Sequence, residues 1–212
     1  MNQPSLARPP QLDIVEWAAF GRPFPGQTVS GDLHLVAHFP GGVLAAVIDG
    51  LGHGPEAAIA ARAAVEVLGR HAGEPVADLI LRCHEELRPT RGAVLSLVSI
   101  DARQGAMSWI GIGNVETLLF RAVSQPKPRR ESLISRSGVV GYQLTTPHVR
   151  TLRIEPGDTL VFATDGVGSE FTNVRPEGRD AAEIAADIIG SHAKITDDSL
   201  ALVVRYLGAD LP

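Results

Sequence analysis

Asp49 follows an uninterrupted apolar run, Val43 to Ile48, and opens the segment Asp49-Gly50-Leu51-Gly52-His53-Gly54-Pro55. A second apolar run, from Thr159 to Thr164, ends in Asp165-Gly166. Asp32 comes after Ser30-Gly31 at the head of an alternating segment, and Asp197-Asp198 stand before the final apolar run. A carboxylate at the end of a buried strand is held by a rigid element, and glycines beside it allow close backbone approach or positive φ. Carboxylate and carbonyl oxygens are the ligands that suit Mg²⁺ and Mn²⁺. One Asp-Gly at a strand end is ordinarily a turn. The repetition of the device along the chain makes a hard-cation site the sharper reading.

Other chemistries lack their residues. There is no Cys-x5-Arg loop, no Gly-x-Ser-x-Gly elbow and no Walker lysine. Gly50-x-Gly-x-Gly54 is not a dinucleotide fingerprint, because Pro55 stands where the third glycine belongs. The single cysteine, Cys83, excludes an internal disulfide and a thiolate zinc site. The net charge of −5 argues against nucleic acid as a partner. The apolar runs are too short to span a bilayer and no leader is evident, so the expectation is a cytoplasmic protein without membrane contact.

The elements that must position these acids follow from periodicity. Residues 1–10 carry three prolines and are expected to be a flexible terminus, with 11–212 forming one domain. A first strand is expected over Leu12–Phe20. Asp32–Phe39 alternates, and Pro40-Gly41-Gly42 turns it into a hairpin with Val43–Ile48. Pro55–His71 and Val76–Leu87 read as helices. Strands follow over Ala93–Asp101, Ala106–Gly111, Val115–Arg121, Val149–Ile154, Thr159–Thr164 and Leu200–Tyr206. Asp180 and Glu183 form a capping box for a helix ending near Gly190. Ala122–Glu131 reads as a basic loop and Ser135–Pro147 as irregular. Strands grouped with hairpin turns and interrupted by helices point to an α+β fold with mostly antiparallel sheets.

In order, Gly31-Asp32, Asp49-Gly50-Leu51-Gly52-His53-Gly54, Thr164-Asp165-Gly166 and Asp197-Asp198 resemble the motifs of the PPM (type 2C) metal-dependent protein phosphatases. Arg91-Gly92-Ala93 and Gly111-Ile112-Gly113-Asn114 place the resemblance in the bacterial branch related to the sporulation stage II E phosphatase. The resemblance implies a four-layer α-β-β-α sandwich, two central sheets flanked by helix pairs, and two Mn²⁺ or Mg²⁺ ions. Asp49 would bridge the ions. The Gly50 carbonyl, Asp165 and Asp197 match further ligands, and Asp32 a ligand or a water-holding acid. Two ions about 4 Å apart lower the pKa of a bridging water and neutralise phosphoryl charge, so no protein nucleophile is needed. The implied activity is hydrolysis of phosphoserine or phosphothreonine on a phosphorylated STAS-domain protein of a stressosome-like complex, by a catalytic domain without a sensor. Action on an anti-anti-sigma factor, or phosphoprotein binding without catalysis, are the alternatives.

Beside this set, His53 serves either as a proton donor near Asp49 or as a cap for the following helix. Asp198 is a ligand, a supporting acid or a strand-start residue. Arg22 is the nearest early arginine for a phosphate. His34 and His38 read as surface or packing residues, and His84 as part of a solvated helix face. Lys127, Arg129 and Arg130 read as a solvated loop or a partner contact.

Overall fold

The computed structural model describes residues 14–122 and 130–208. Among these, one antiparallel sheet has the order β1 (Val15–Arg22), β10 (Ser199–Tyr206), β9 (Thr159–Ala163), β6 (Glu116–Phe120), β7 (Arg130–Leu133). The other runs β2 (Asp32–Phe39), β3 (Gly42–Gly50), β4 (Ala93–Asp101), β5 (Ala106–Ile112), β8 (Arg150–Arg153). Strand β3 explains the layering. Its Val43, Ala45 and Val47 join Trp109, Phe162 and Leu202 between the sheets, while Leu44, Ala46 and Ile48 pack beneath α1 (Pro55–Arg70) and α2 (Val76–Leu87). An unbroken apolar run is what a strand covered on both faces requires.

On the far side, α3 (Ala181–His192) covers Val161, Ala201 and Val203 through Ile184 and Ile188. The α-β-β-α sandwich is therefore as expected, with one correction. The layer over β9 and β10 holds α3 and a 3-10 turn, Ser169–Asn173, in place of a second helix. Pro176 and Gly178 intervene before Asp180 and stop helix growth there.

The hairpin, both early helices and the irregular stretch after β7 lie where the pattern puts them. The capping box of α3 is complete: the Glu183 amide donates to Asp180 at 2.7 Å and the Asp180 amide to Glu183 at 3.2 Å. The helix passes through Gly190 to His192, since a helical glycine costs only about 1 kcal/mol. The first strand starts at Val15 and reaches Arg22; the expected flexible terminus, Lys127 and Arg129 lie outside the described residues. Arg130 and Glu131 belong to β7, not to a loop.

Glu131 is drawn into the sheet by Arg121, whose Nε and Nη2 donate to it at 3.0 and 2.9 Å. The same guanidinium donates to Asp158 at 2.9 Å, and Asp158, 1% exposed, also accepts from the Ala122 and Glu155 amides. Asp158→Ala leaves a largely buried cation and two amides short of a partner, an expected loss of about 3–5 kcal/mol. Urea denaturation measures it; a loss below about 1 kcal/mol would show that Glu131 and the Arg153 carbonyl satisfy Arg121 without Asp158. Asp158 precedes β9 at the end remote from Asp165, so turnover below the unfolding transition is expected to be retained.

Candidate metal centre

The β2–β3 hairpin sets Asp32 directly opposite Asp49. Like charges in that relation destabilise a sheet. From the other sheet, Asp165 follows β9, and Asp197 and Asp198 precede β10, which pairs with β9. Antiparallel pairing brings all these positions to one end of the sandwich. The carboxylates feel one another there. Burial, then the charges of Asp32, Asp165, Asp197 and Asp198, push Asp49 up to about 9. Burial likewise raises Asp32 to about 7, opposed by a hydrogen bond from Thr164 and aided by Asp198, Asp165 and Asp197. Asp197 is raised as well, chiefly by burial.

Asp49, Asp165 and Asp197 line a cleft of about 470 Å³, together with Gly52, Asn114 and Val139. Each acid has its own support. Asp32 is buried, and the Thr164 hydroxyl donates to its Oδ2 at 2.7 Å while accepting from the Leu200 amide at 2.9 Å. Asp165 is exposed; Asn114 Nδ2 donates to its Oδ2 at 2.7 Å and Lys194 Nζ to its carbonyl at 2.6 Å. Asp198 has both oxygens engaged, accepting from the Phe24 amide at 2.7 Å and the Gly31 amide at 2.8 Å. It fastens segment 24–31 to the head of β10.

The three glycines after Asp49 do different work. A Cβ on Gly50 would stand 2.1 Å from the Ala57 carbonyl oxygen, so glycine here lets the first turn of α1 close on the strand end. Gly52 and Gly54 have φ of +87° and +76°. Gly54 is the N-cap of α1 and no side chain caps the helix. The capping role for His53 is thus incorrect: its ring is exposed and stacks on Phe24, centroids 4.5 Å apart.

The donors here are all oxygens, and burial and mutual repulsion disfavour their charged forms. A divalent cation would reverse both effects, so the residues fit a hard cation. Among the described residues, no three His, Cys, Asp or Glu side chains are already gathered as a ligand cluster.

The remaining candidates are dispersed. Arg22 ends β1 opposite Ser199 and is exposed. His34 leans on Trp17, centroids 5.6 Å apart, and burial lowers its pKa. His84 is no solvated residue: its Nδ1 accepts from the Gly141 amide at 3.0 Å and ties α2 to the loop beside the cleft. Burial pushes the Cys83 thiol up to about 12, which makes it an inert core residue. Thr164 and Asn114 sit inside quoted motifs, yet neither draws attention as a site residue in sequence. Their only signal is adjacency to Asp165 in one case and to a turn glycine in the other.

A family model described as stage II sporulation protein E (SpoIIE) matches residues 40–207. The chain belongs to the SpoIIE family. Phosphoserine phosphatase RsbX of Bacillus subtilis (strain 168) is 27% identical over 144 residues, 67% of this chain and 69% of that protein. A solved structure described as "The bacterial stressosome: a modular system that has been adapted to control secondary messenger signaling" matches at TM-score 0.81 and 27% identity, over 90% of this chain and 99% of the other. The structure of RsbX in complex with magnesium matches at TM-score 0.80 and 22% identity, over 90% and 94%. This SpoIIE-family chain is accordingly a metal-dependent protein phosphatase with the type 2C fold. No described helix is long and apolar enough to cross a membrane.

Proposed function

We propose that the protein is a cytoplasmic phosphatase that removes phosphate from serine and threonine of a phosphorylated STAS-domain protein in a stressosome-like complex, using two Mn²⁺ or Mg²⁺ ions. The observation that supports the metal site is the convergence of Asp32, Asp49, Asp165 and Asp197 from two sheets on one end of the sandwich, where Asp49, Asp165 and Asp197 line the cleft. In this reading Asp49 would be the ligand shared by the ions, the Gly50 carbonyl, Asp165 and Asp197 would be further ligands, and Asp32 would be a ligand or a water-holding acid. When bound, two such ions would lower the pKa of a water between them and draw charge from the phosphoryl oxygens.

The chain's own residues supply position. Thr164 fixes the Asp32 carboxylate, and the Asn114 amide fixes that of Asp165, leaving each with lone pairs to spare. Asp198 keeps Phe24 in place as the platform for His53. His53 lies near enough to Asp197 for its charge to oppose slightly the rise in that residue's pKa, a position that suits a proton donor to the leaving alkoxide.

Three features support the substrate class. RsbX is named a phosphoserine phosphatase, and the similar structure at 27% identity is described with the stressosome. The cleft is an open one at a sandwich end, without the depth that would select a phosphotyrosine ring. The test offers Mn²⁺-loaded protein a phosphorylated STAS-domain protein, a phosphoserine peptide and a phosphotyrosine peptide at equal concentration. The STAS protein is expected to turn over fastest and the phosphotyrosine peptide slowest. Preference for phosphotyrosine would overturn the substrate class, and equal rates on the STAS protein and the bare phosphoserine peptide would overturn the partner.

A further inference from the structure

We propose that Arg91 recognises the substrate's phosphoryl group and that Glu56 holds its guanidinium in reserve between turnovers. The inference rests on the phosphatase reading above and assigns a side chain to a part of the reaction that the aspartates cannot perform. The aspartates themselves offer no positive charge to a phosphomonoester dianion, and Lys194, the cation on Asp165, is committed to that residue's carbonyl.

The placement of Arg91 is fixed by backbone on two sides. The Leu51 amide donates to the Gly92 carbonyl at 3.1 Å, tying the Arg91-Gly92 turn to the loop that follows Asp49. Gly92, at φ +83°, packs so tightly that a Cβ would lie 2.8 Å from both a Val139 methyl and the Val140 carbonyl oxygen. Leu51 and Val139 are both walls of the acidic cleft. Between them the Arg91 Nη1 lies 3.0 Å from where a Cβ of Gly52, a third wall residue, would be. The guanidinium thus sits over the rim of the cleft, and a side chain at Gly52 would displace it.

Its present partner is a poor competitor. Arg91 pairs with Glu56 in the first turn of α1, and the two side chains are 53% and 63% exposed. An ion pair that open to water is weak. A phosphoryl dianion carries more charge than the Glu56 carboxylate and offers two oxygens to the planar fork of a guanidinium, so that bidentate pairing is the stronger. Exchange from Glu56 to phosphate needs only a rotation of the arginine side chain.

The test uses the full chain with Mn²⁺ and makes three measurements: the kinetics (KM and kcat) on a phosphoserine peptide, inorganic phosphate binding by calorimetry, and Mn²⁺ binding. Arg91→Ala is expected to raise KM and weaken phosphate binding about tenfold, with Mn²⁺ affinity and Tm unchanged. Arg91→Lys recovers only part of this, because an ammonium cannot make two parallel bonds. Glu56→Gln frees the guanidinium and is expected to strengthen phosphate binding about two- to threefold. Arg70→Ala breaks a comparable exposed pair, with Glu66 on the same helix, and is expected to change none of the three. Unchanged phosphate binding in Arg91→Ala overturns the proposal, as does weakened binding in Glu56→Gln. If Arg91→Ala does not fold, unchanged phosphate binding in both Arg91→Lys and Glu56→Gln does the same. Absence of Mn²⁺-dependent hydrolysis in the wild type would instead overturn the phosphatase mechanism, while the phosphate calorimetry still reads Arg91.

Discussion

Asp49→Asn is expected to abolish turnover while leaving the metal-free protein as stable as the wild type, or more so. Asparagine keeps the shape of the side chain and removes the charge that the bridging role requires. A loss on the order of a thousandfold corresponds to about 4 kcal/mol of transition-state stabilisation. Stability moves the other way because Asp49 is a half-buried carboxylate facing Asp32 across the hairpin. Its pKa of about 9 in the fold, raised by burial and then by the other aspartates, exceeds the value near 4 that an unfolded chain gives. Between those limits the folded state binds the proton more tightly than the unfolded state does. The contribution of Asp49 to the stability of the metal-free wild type is therefore fully present below about pH 4 and is lost as pH rises towards 9. In Asp49→Asn this slope is expected to flatten, which denaturant titrations at pH 5 and pH 8 measure. Turnover near the wild-type rate would remove Asp49 from the bridging role. A variant less stable than wild type at pH 8 would show that the acids do not strain the fold.

Stripping divalent ions is expected to bring hydrolysis of para-nitrophenyl phosphate to background, and Mn²⁺ or Mg²⁺ to restore it. Zn²⁺ is expected to serve less well, because the proposed ligands are all oxygens and include no thiolate or imidazole. Thermal unfolding gives a readout independent of catalysis. A cation that binds only the folded state adds stability by mass action, about 2.7 kcal/mol at a hundred times its Kd. The gain is expected to rise with pH, since protons and cations compete for the same carboxylates. Full activity in metal-free protein would sink the mechanism. A metal-induced rise in Tm that survives in Asp49→Asn would place the ions elsewhere.

Local chemistry in the sequence determined much of this protein. The run Val43–Ile48 demands cover on both faces, and it has an apolar layer on each side. Pro55 after Gly54 starts α1, and Asp180 with Glu183 starts α3, because helix starts depend on residues within one turn. The acids at strand ends were visible for the same reason, as abrupt changes at the edge of an apolar pattern. Local pattern also set the limits, at Gly190, at Arg130 and in the layer of α3, where packing against the sheet overrode or withheld a helix.

What only the tertiary structure decided are the partners of those acids. Thr164 reaches Asp32 across 132 residues, Asn114 reaches Asp165 across 51, and Asp198 binds the amides of Gly31 and Phe24 across 167 and 174. Arg91 comes to rest against Gly52 only because the hairpin β2–β3 and strand β4 share a register, Gly50 opposite Ala93. No spacing rule encodes such contacts. They follow from strand order and from the closure of two sheets on one core.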